Sequence, residues 1–569
     1  MQVSRRHALL GGLAGSLGAC ASQPKLGSFQ GARQSADAAF SCGVASGDPA
    51  QDSVVLWTRV SEVEGSLAVT AEVSSAASFE RVVFSSRMTT GAERDYTVKV
   101  VATGLEPGQT YFYRFRAGHK VSPIGRTKTL PETTERVRFA VVSCSNYPFG
   151  HFNAYDLIAR DDELDAVLHL GDYIYEYGTD GYGGAKGKAL GRDHTPAHEC
   201  LMLGDYRQRH RQYKADAASR AMHSAHPMIA IWDDHETSND AWQRGAENHQ
   251  PATEGGFNAR KRAALQAYYE YMPVRDPQAG RPREQLYREF QWGKFLTLTA
   301  IETRLTARTE QIDHLAAVAE LNSDADVRRF RTAVLNDPSR ELLGDAQQAF
   351  VAGSLARSVQ AGAPWRVLSN QILMARVMAP NIGAYVSDEA IAEIEKLFPD
   401  ARAFLQWSTL GLPYNPDAWD GYPAARERFY EAAKVAGARD LLVLTGDTHM
   451  FWANDLRRED GTEMGVELGT AGVTSPGANA VFGENAFDYS LLVRKENKDV
   501  RYVDGVNNGY IRLDLYGDAG QADFISMSTI DSPDYTAVRT ASFGLRHKDG
   551  TLELARSEGL GFKEKILYR

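Results

Sequence analysis

Ala166-Val167-Leu168-His169-Leu170-Gly171-Asp172-Tyr173-Ile174-Tyr175-Glu176 is the stretch on which the reading of this chain turns. The apolar run Ala166, Val167, Leu168 and Leu170 is long enough for a buried strand and stops at a glycine. Asp172 and Tyr175 follow at once. A carboxylate and a phenol at the end of a buried strand serve no packing purpose. Hard or high-valent metal ions give them one, because such ions take anionic oxygen ligands.

Outward from this stretch, other apolar runs end the same way. Val141-Val142 leads to Ser143-Cys144-Ser145-Asn146. Ile229–Trp232 leads to Asp233-Asp234-His235-Glu236, with Asn239 three residues on. Val367-Leu368 leads to Ser369-Asn370-Gln371, and Leu442–Leu444 leads to Gly446-Asp447-Thr448-His449. Alone, each of these residues is as readily a turn former, a helix cap or a packed side chain. In an open α/β sheet, however, ligands bind beyond the carboxyl ends of the strands, and convergence of all five ends predicts a dinuclear metal site. Two neighbouring cations repel unless anionic ligands hold them, so Asp172 is the expected bridge. Tyr175 as phenolate, Cys144 as thiolate and His449 suit iron, while Asp234, Asn370 and Asp447 offer hard oxygens for calcium or magnesium. His235 is then free for acid or electrostatic work. Asp233 and Glu236 are expected to orient it, and Asn239 lies close by.

The rest of the chain supplies a scaffold for such a site. At 569 residues it exceeds one hydrophobic core. Short strand patterns with Gly/Pro turns over 39–132, such as Val54–Arg59 and Thr110–Phe115, predict an all-β fibronectin- or Ig-like sandwich with Tyr111 or Tyr113 as its corner tyrosine. From 136 to 569, apolar runs alternate with helical stretches such as 205–221 and 256–271, which predicts an α/β domain. The loop over 179–191, with Tyr182, is either a lid or plain surface.

Net charge is −10 with no basic block, which argues against nucleic acid as the main partner. Ser4-Arg5-Arg6 before the apolar stretch Ala8–Ala19 reads as a signal peptide over 1–20 of twin-arginine type, followed by a linker over 21–38. Leu17-Gly18-Ala19-Cys20 adds a lipoprotein-type box, so Cys20 is either a lipid anchor or lost by ordinary cleavage near Ala21. The expected location is periplasmic, cell-surface or secreted. Cys42 and Cys200 are either a disulfide or two buried thiols.

These motifs resemble known families. Gly171-Asp172-Tyr173-Ile174-Tyr175 is similar to the GDxxY signature of purple acid phosphatases, in which the tyrosine ligates ferric iron. Asp233–Glu236 and Gly446–His449 look like variants of the GNHE and GHxH blocks of calcineurin-like metallophosphoesterases. The nearer resemblance is to PhoD-type alkaline phosphatases, through Gly43-Val44-Ala45-Ser46-Gly47-Asp48-Pro49, Leu56–Arg59, Asp205-Tyr206-Arg207, Asn370-Gln371, Asp420–Pro423 and Thr474-Ser475-Pro476-Gly477. It implies a four-layer αββα metallophosphatase domain behind the β-sandwich, Fe3+ and Ca2+ as cofactors, and hydrolysis of phosphate mono- or diesters. Phospholipase D-like phosphodiester cleavage is one alternative; a non-catalytic, metal-braced binding protein is another. Arg304 would clamp phosphate, although Glu302-Thr303-Arg304 stands where these families commonly show Asp-Thr-Arg. Arg207 is expected to form a salt bridge within the fold.

Overall fold

Apolar runs buried on both faces become the middle strands of two stacked sheets. The computed structural model describes residues 38–61, 65–383, 385–395, 401–478 and 489–556, so the leader, the linker and Cys20 lie outside the described residues. The first sheet has ten strands, in the order Thr551–Arg556, Ala537–Lys548, Ala519–Met527, Gly509–Tyr516, Arg136–Val142, Ala166–His169, Pro227–Ala230, Val44–Gly47, Ser53–Arg59 and Thr97–Thr103. The second has seven: Arg288–Trp292, Leu296–Ala300, Trp365–Ser369, Leu441–Thr445, Glu463–Gly469, Phe451–Arg457 and Val500–Asp504. The strands that end in chemistry-bearing residues run parallel within each sheet.

Side-chain alternation along these strands builds the layers. Phe139, Val141 and Leu168 face the second sheet and meet Leu298, Val367, Leu442 and Leu444. Their neighbours Ala140, Val142 and Val167 face helices and pack with Tyr155, Tyr206, Tyr213 and Tyr268. On the far side Leu368 and Val443 meet Val351, Leu355 and Phe429. The result is the expected helix–sheet–sheet–helix sandwich. The helix expected over 205–221 is two helices, Leu203–Ala215 and Ala217–Ala225. Asp216 divides them and caps the second, accepting from Ala218 N at 2.9 Å and Ser219 N at 3.3 Å.

The N-terminal sandwich is present and shares a layer with the larger domain. Val44–Gly47 pairs parallel with Pro227–Ala230, and Ser53–Arg59 and Thr97–Thr103 follow it outward. The other layer is a five-stranded sheet around Leu67–Ser74 and Thr110–Ala117. Val54, Leu56 and Ala102 pack against Val69, Val73 and Phe115 between them. Tyr111 is the corner tyrosine: its hydroxyl accepts from Glu106 N at 2.9 Å. Asp48 pins the junction, accepting from Arg275 N at 2.7 Å and Arg288 Nη2 at 2.8 Å.

Cys42, Cys144 and Cys200 are buried free thiols, so the free-thiol alternative holds and Cys42 and Cys200 are not bridged. Arg207 forms the expected internal salt bridge, a two-pronged pair with Glu270 at 2.7 Å. Among the described residues no helix is long and apolar enough to cross a membrane.

Candidate metal centre

The ends of the two sheets are stitched together where the chemistry-bearing residues emerge. Ser143 bridges to Gly472, and Val473 N donates to Ser143 O at 2.9 Å. Just past the strands the backbone turns sharply. Cys144, Asp172, Asp447 and His449 all take left-handed φ values, 57°, 54°, 62° and 58°. Such strain in non-glycine residues persists where the surroundings impose it, and functional sites are where it gathers.

Three groups of side chains each have potential ligand atoms within 4.8 Å of one another: Cys144, Asp172 and His449; Asp172, Asp234 and His235; and Asp233, Asp234 and Asp447. Asp172 belongs to two of them, and so does Asp234. The Tyr175 hydroxyl donates to Asp172 Oδ2 at 3.0 Å, lies 3.3 Å from His449 Nε2 and accepts from Ser475 Oγ at 2.7 Å. His449 Nδ1 is 3.1 Å from Pro476 O, a contact that orients the ring and leaves Nε2 for the cluster. Asp172 Oδ1 is buried with no hydrogen-bond partner. An orphaned carboxylate oxygen beside a thiol, a phenol and an imidazole fits a metal ion.

The other side of the cluster is organised by Arg304, which is completely buried. Its Nε pairs with Asp233, Nη1 with Asp417 at 2.7 Å, and Nη2 with Asp447 at 3.0 Å and Asp234 at 3.6 Å. Every nitrogen of the guanidinium faces a carboxylate, which corrects its expected role as a phosphate clamp. Glu302 holds the turn behind it, accepting from Trp232 Nε1 at 2.9 Å and from the backbone of Arg304 at 2.8 Å and Thr306 at 2.8 Å.

His235 faces the cavity, but the residue that orients it is not one of those expected. Glu176 Oε2 lies 2.7 Å from His235 Nδ1, and Asn239 N and Asn248 Nδ2 donate to the other oxygen of Glu176 at 2.7 Å and 3.0 Å. Asp233 is committed to Arg304. Glu236 instead braces the loops, accepting from the backbones of Asp172 at 3.0 Å, Tyr173 at 2.5 Å and Asp233 at 2.8 Å. Asn370 is also turned to the fold: its Nδ2 donates to Ile372 O at 2.5 Å and its Oδ1 accepts from Trp419 Nε1 at 3.4 Å. The Asn146 amide is buried and unpartnered among the described residues.

Charge at the site follows from burial and neighbours. Burial, reinforced by the Asp234 and Asp233 carboxylates, raises the Asp172 pKa well above the usual range, against the pull of His235. Burial also raises Cys144, Tyr175 and Asp447. Burial opposes charge on Asp234 and His235 too, but it loses there. Arg304 and His235 bring Asp234 down to about 2, and Asp234, Glu176 and Asp172 push His235 well up. His449 falls to about 4, chiefly through burial, and stands ready as a neutral ligand.

The cluster opens into a cavity of about 420 Å³ whose lining includes Asp172, Asp234, His235 and His449 together with Ile312, Phe404, Tyr414 and Tyr489. The loop over 179–191 contains a helix, Gly184–Leu190. It sets Tyr182 at the rim, with its ring 4.7 Å from that of Phe149.

A four-layer α/β sandwich that gathers carboxylates, histidines and a phenol at shared strand ends has the architecture of a phosphoesterase. The profile of PhoD-like phosphatases matches residues 139–524, and that of the PhoD-like phosphatase N-terminal domain matches residues 21–131. Alkaline phosphatase D of Bacillus subtilis (strain 168) is 34% identical over 528 residues, covering 90% of this chain and 81% of that protein. The solved structure of PhoD superposes with a TM-score of 0.74 at 31% identity, across 92% of this chain and 94% of that one. The chain belongs to the PhoD-like phosphatase family and is a phosphoric ester hydrolase.

Proposed function

We propose that this enzyme is an exported, metal-dependent phosphoesterase, with iron held by Cys144, Asp172, Tyr175 and His449 and calcium held by Asp172, Asp234 and Asp447. The observation that carries this reading is the buried Asp172 carboxylate, which belongs to two ligand groups and keeps one oxygen without a hydrogen-bond partner. Charge supports it: Asp172, Asp234, Asp240, Asp417 and Asp447 line one pocket, and among the described residues Arg304 and Arg308 pair with three of them, Asp234, Asp417 and Asp447. Engagement of both ends of the Asn370 amide supports leaving Asn370 out of the ligand set.

Metal ions bound there would supply positive charge to the phosphoryl oxygens and acidify the attacking water. The chain does the rest. Glu176 fixes His235 through Nδ1, so that Nε2 faces the cavity and can pass a proton to the leaving alkoxide. Burial keeps His449 neutral, and Ser475 and Asp172 hold the Tyr175 oxygen in place. The apolar and aromatic lining residues Ile312, Phe404, Tyr414 and Tyr489 favour an ester that carries an organic group, which suits diesters as well as monoesters.

The domain limits 39–132 and 136–569, the twin-arginine leader and the lipid on Cys20 are part of the proposal, supported by Ser4-Arg5-Arg6, Ala8–Ala19 and the box ending at Cys20. Mass spectrometry of the mature N-terminus tests the last two. Metal analysis with phosphate release from p-nitrophenyl phosphate and its bis-ester tests the chemistry, and metal-free protein with full turnover would sink it. His235→Ala should keep its metal and lose roughly 10²–10⁴ in rate.

A further inference from the structure

A second cavity, of about 440 Å³, lies where the N-terminal module meets the larger domain, and no residue that lines the metal cavity lines this one. We infer that it is a separate anion site, in which Arg94, Arg281 and Arg283 take a phosphate-class oxyanion.

Three pieces of chain form it: the short turn Ala92–Arg94 of the sandwich, the end of the helix Phe257–Tyr271, and the loop over 276–283. Its lining carries three acids, Glu93, Glu270 and Asp276, beside the three arginines. Two of the acids are neutralised from behind. Arg207 holds Glu270 with two bonds of 2.7 Å, and Gln266 Nε2 adds another at 2.9 Å. Lys99 Nζ lies 2.6 Å from Asp276 Oδ1. The third, Glu93, folds its carboxylate back over its own turn, where a Cβ on Gly91 would meet Oε2 at 2.5 Å. The arginines are not spent in this way. Among the described residues the guanidiniums of Arg94 and Arg283 enter no hydrogen bond or ion pair; their carbonyls accept from Thr97 Oγ1 at 2.8 Å and the Tyr269 hydroxyl at 2.9 Å. Arg281 donates from Nη2 to Tyr287 O at 2.8 Å and stands 4.6 Å from the centre of the Tyr287 ring, which fixes the group and leaves its other donors for the cavity. Burial lowers the Lys99 pKa against the pull of Asp276, and Arg94 is near enough to add to the fall. Cations thus crowd one spot on a protein whose net charge is −10. An anion relieves such crowding, and a phosphate oxyanion matches the guanidinium fork with paired, charge-assisted bonds. The cavity is wider than a bare phosphate needs, so the group arrives either free or on an ester that carries it.

The test counts bound phosphate. Metal-loaded enzyme is dialysed to equilibrium against labelled inorganic phosphate, as wild type, as Arg94→Gln/Arg283→Gln and as Glu93→Gln. The double variant should bind one phosphate fewer per chain, or bind it roughly 10- to 100-fold more weakly, with kcat for p-nitrophenyl phosphate and melting temperature unchanged. Glu93→Gln should tighten the same site, and added NaCl should weaken it. Bis-phosphate esters with linkers of graded length separate the two sources. A KM advantage over p-nitrophenyl phosphate that the double variant abolishes assigns the site to a phosphate borne on the substrate, and no advantage assigns it to free phosphate. Equal phosphate binding by wild type and double variant overturns the inference, and so does a Glu93→Gln protein whose affinity does not rise. Should the double variant melt early, Glu93→Gln decides alone.

Discussion

The two corners of the cluster differ in what balances their charge. Around Arg304, the acids Asp233, Asp234, Asp417 and Asp447 share an internal cation. Around Asp172, Cys144 and Tyr175, no lysine or arginine forms an ion pair among the described residues; each corner keeps a buried carboxylate oxygen without a hydrogen-bond partner, Asp233 Oδ2 in the first and Asp172 Oδ1 in the second. The first corner carries part of its own counter-charge. Burial pushes Asp447 in the first corner and Asp172, Cys144 and Tyr175 in the second toward their neutral forms; what the second lacks among the described residues is an arginine or lysine to oppose it. His235 stands between them, grouped with one acid from each corner.

The hardest blow to this contrast is Asp172→Ala. Both metals should be lost together, and ester hydrolysis should fall by at least about 10³-fold, or more than about 4 kcal/mol of transition-state stabilisation. Retention of one metal would show that Asp172 is not shared. Glu176→Gln tests the histidine between the corners. Metal content should stay, while kcat falls roughly 10- to 100-fold; a matching loss of metal would make His235 a ligand.

Acid stability separates the site from the body of the fold. His210 and His226 are buried, and burial, with Lys214 near the first and Arg126 near the second, lowers both from 6.5 to about 3. A depressed histidine pKa stabilises the fold above the unfolded value. Stability should therefore hold above pH 6.5 and decline progressively as pH falls toward 3. Thermal melts across that window read this, and a flat profile would contradict it. The smallest effect is expected far from both corners: Tyr111→Phe removes one hydrogen bond to Glu106 N and should cost about 1 kcal/mol in denaturant unfolding with kcat unchanged.

The site was legible where its signal is local. Asp172, Tyr175, Asp234, Asp447 and His449 each follow an apolar run directly, and a strand buried on both faces leaves few other reasons for a charge at its end. What could not be read is partnership across the chain. Arg304 looked like a phosphate clamp because nothing near it in sequence shows Asp233, Asp417 and Asp447 gathering around it. Asp417 follows no strand at all. Glu176 sat at the end of the most informative stretch, yet its pairing with His235 spans two loops, and Glu236, beside the histidine in sequence, drew the role instead. Asn370 shows the opposite, since its local setting matches a ligand while its amide contacts Ile372 and Trp419 across the fold. The N-terminal sandwich was visible from its turns, but its fusion to the larger sheet was not, because parallel pairing leaves no hairpin signal.

That fusion constrains how the molecule is made. Val44–Gly47 leaves the ribosome roughly 180 residues before Pro227–Ala230, the strand it must lie against, which at ordinary synthesis rates is a wait of roughly ten to forty seconds. Until then the opening strands present bare edges with a taste for company. A fragment beginning after the first module would carry the same exposed edge permanently on Pro227–Ala230.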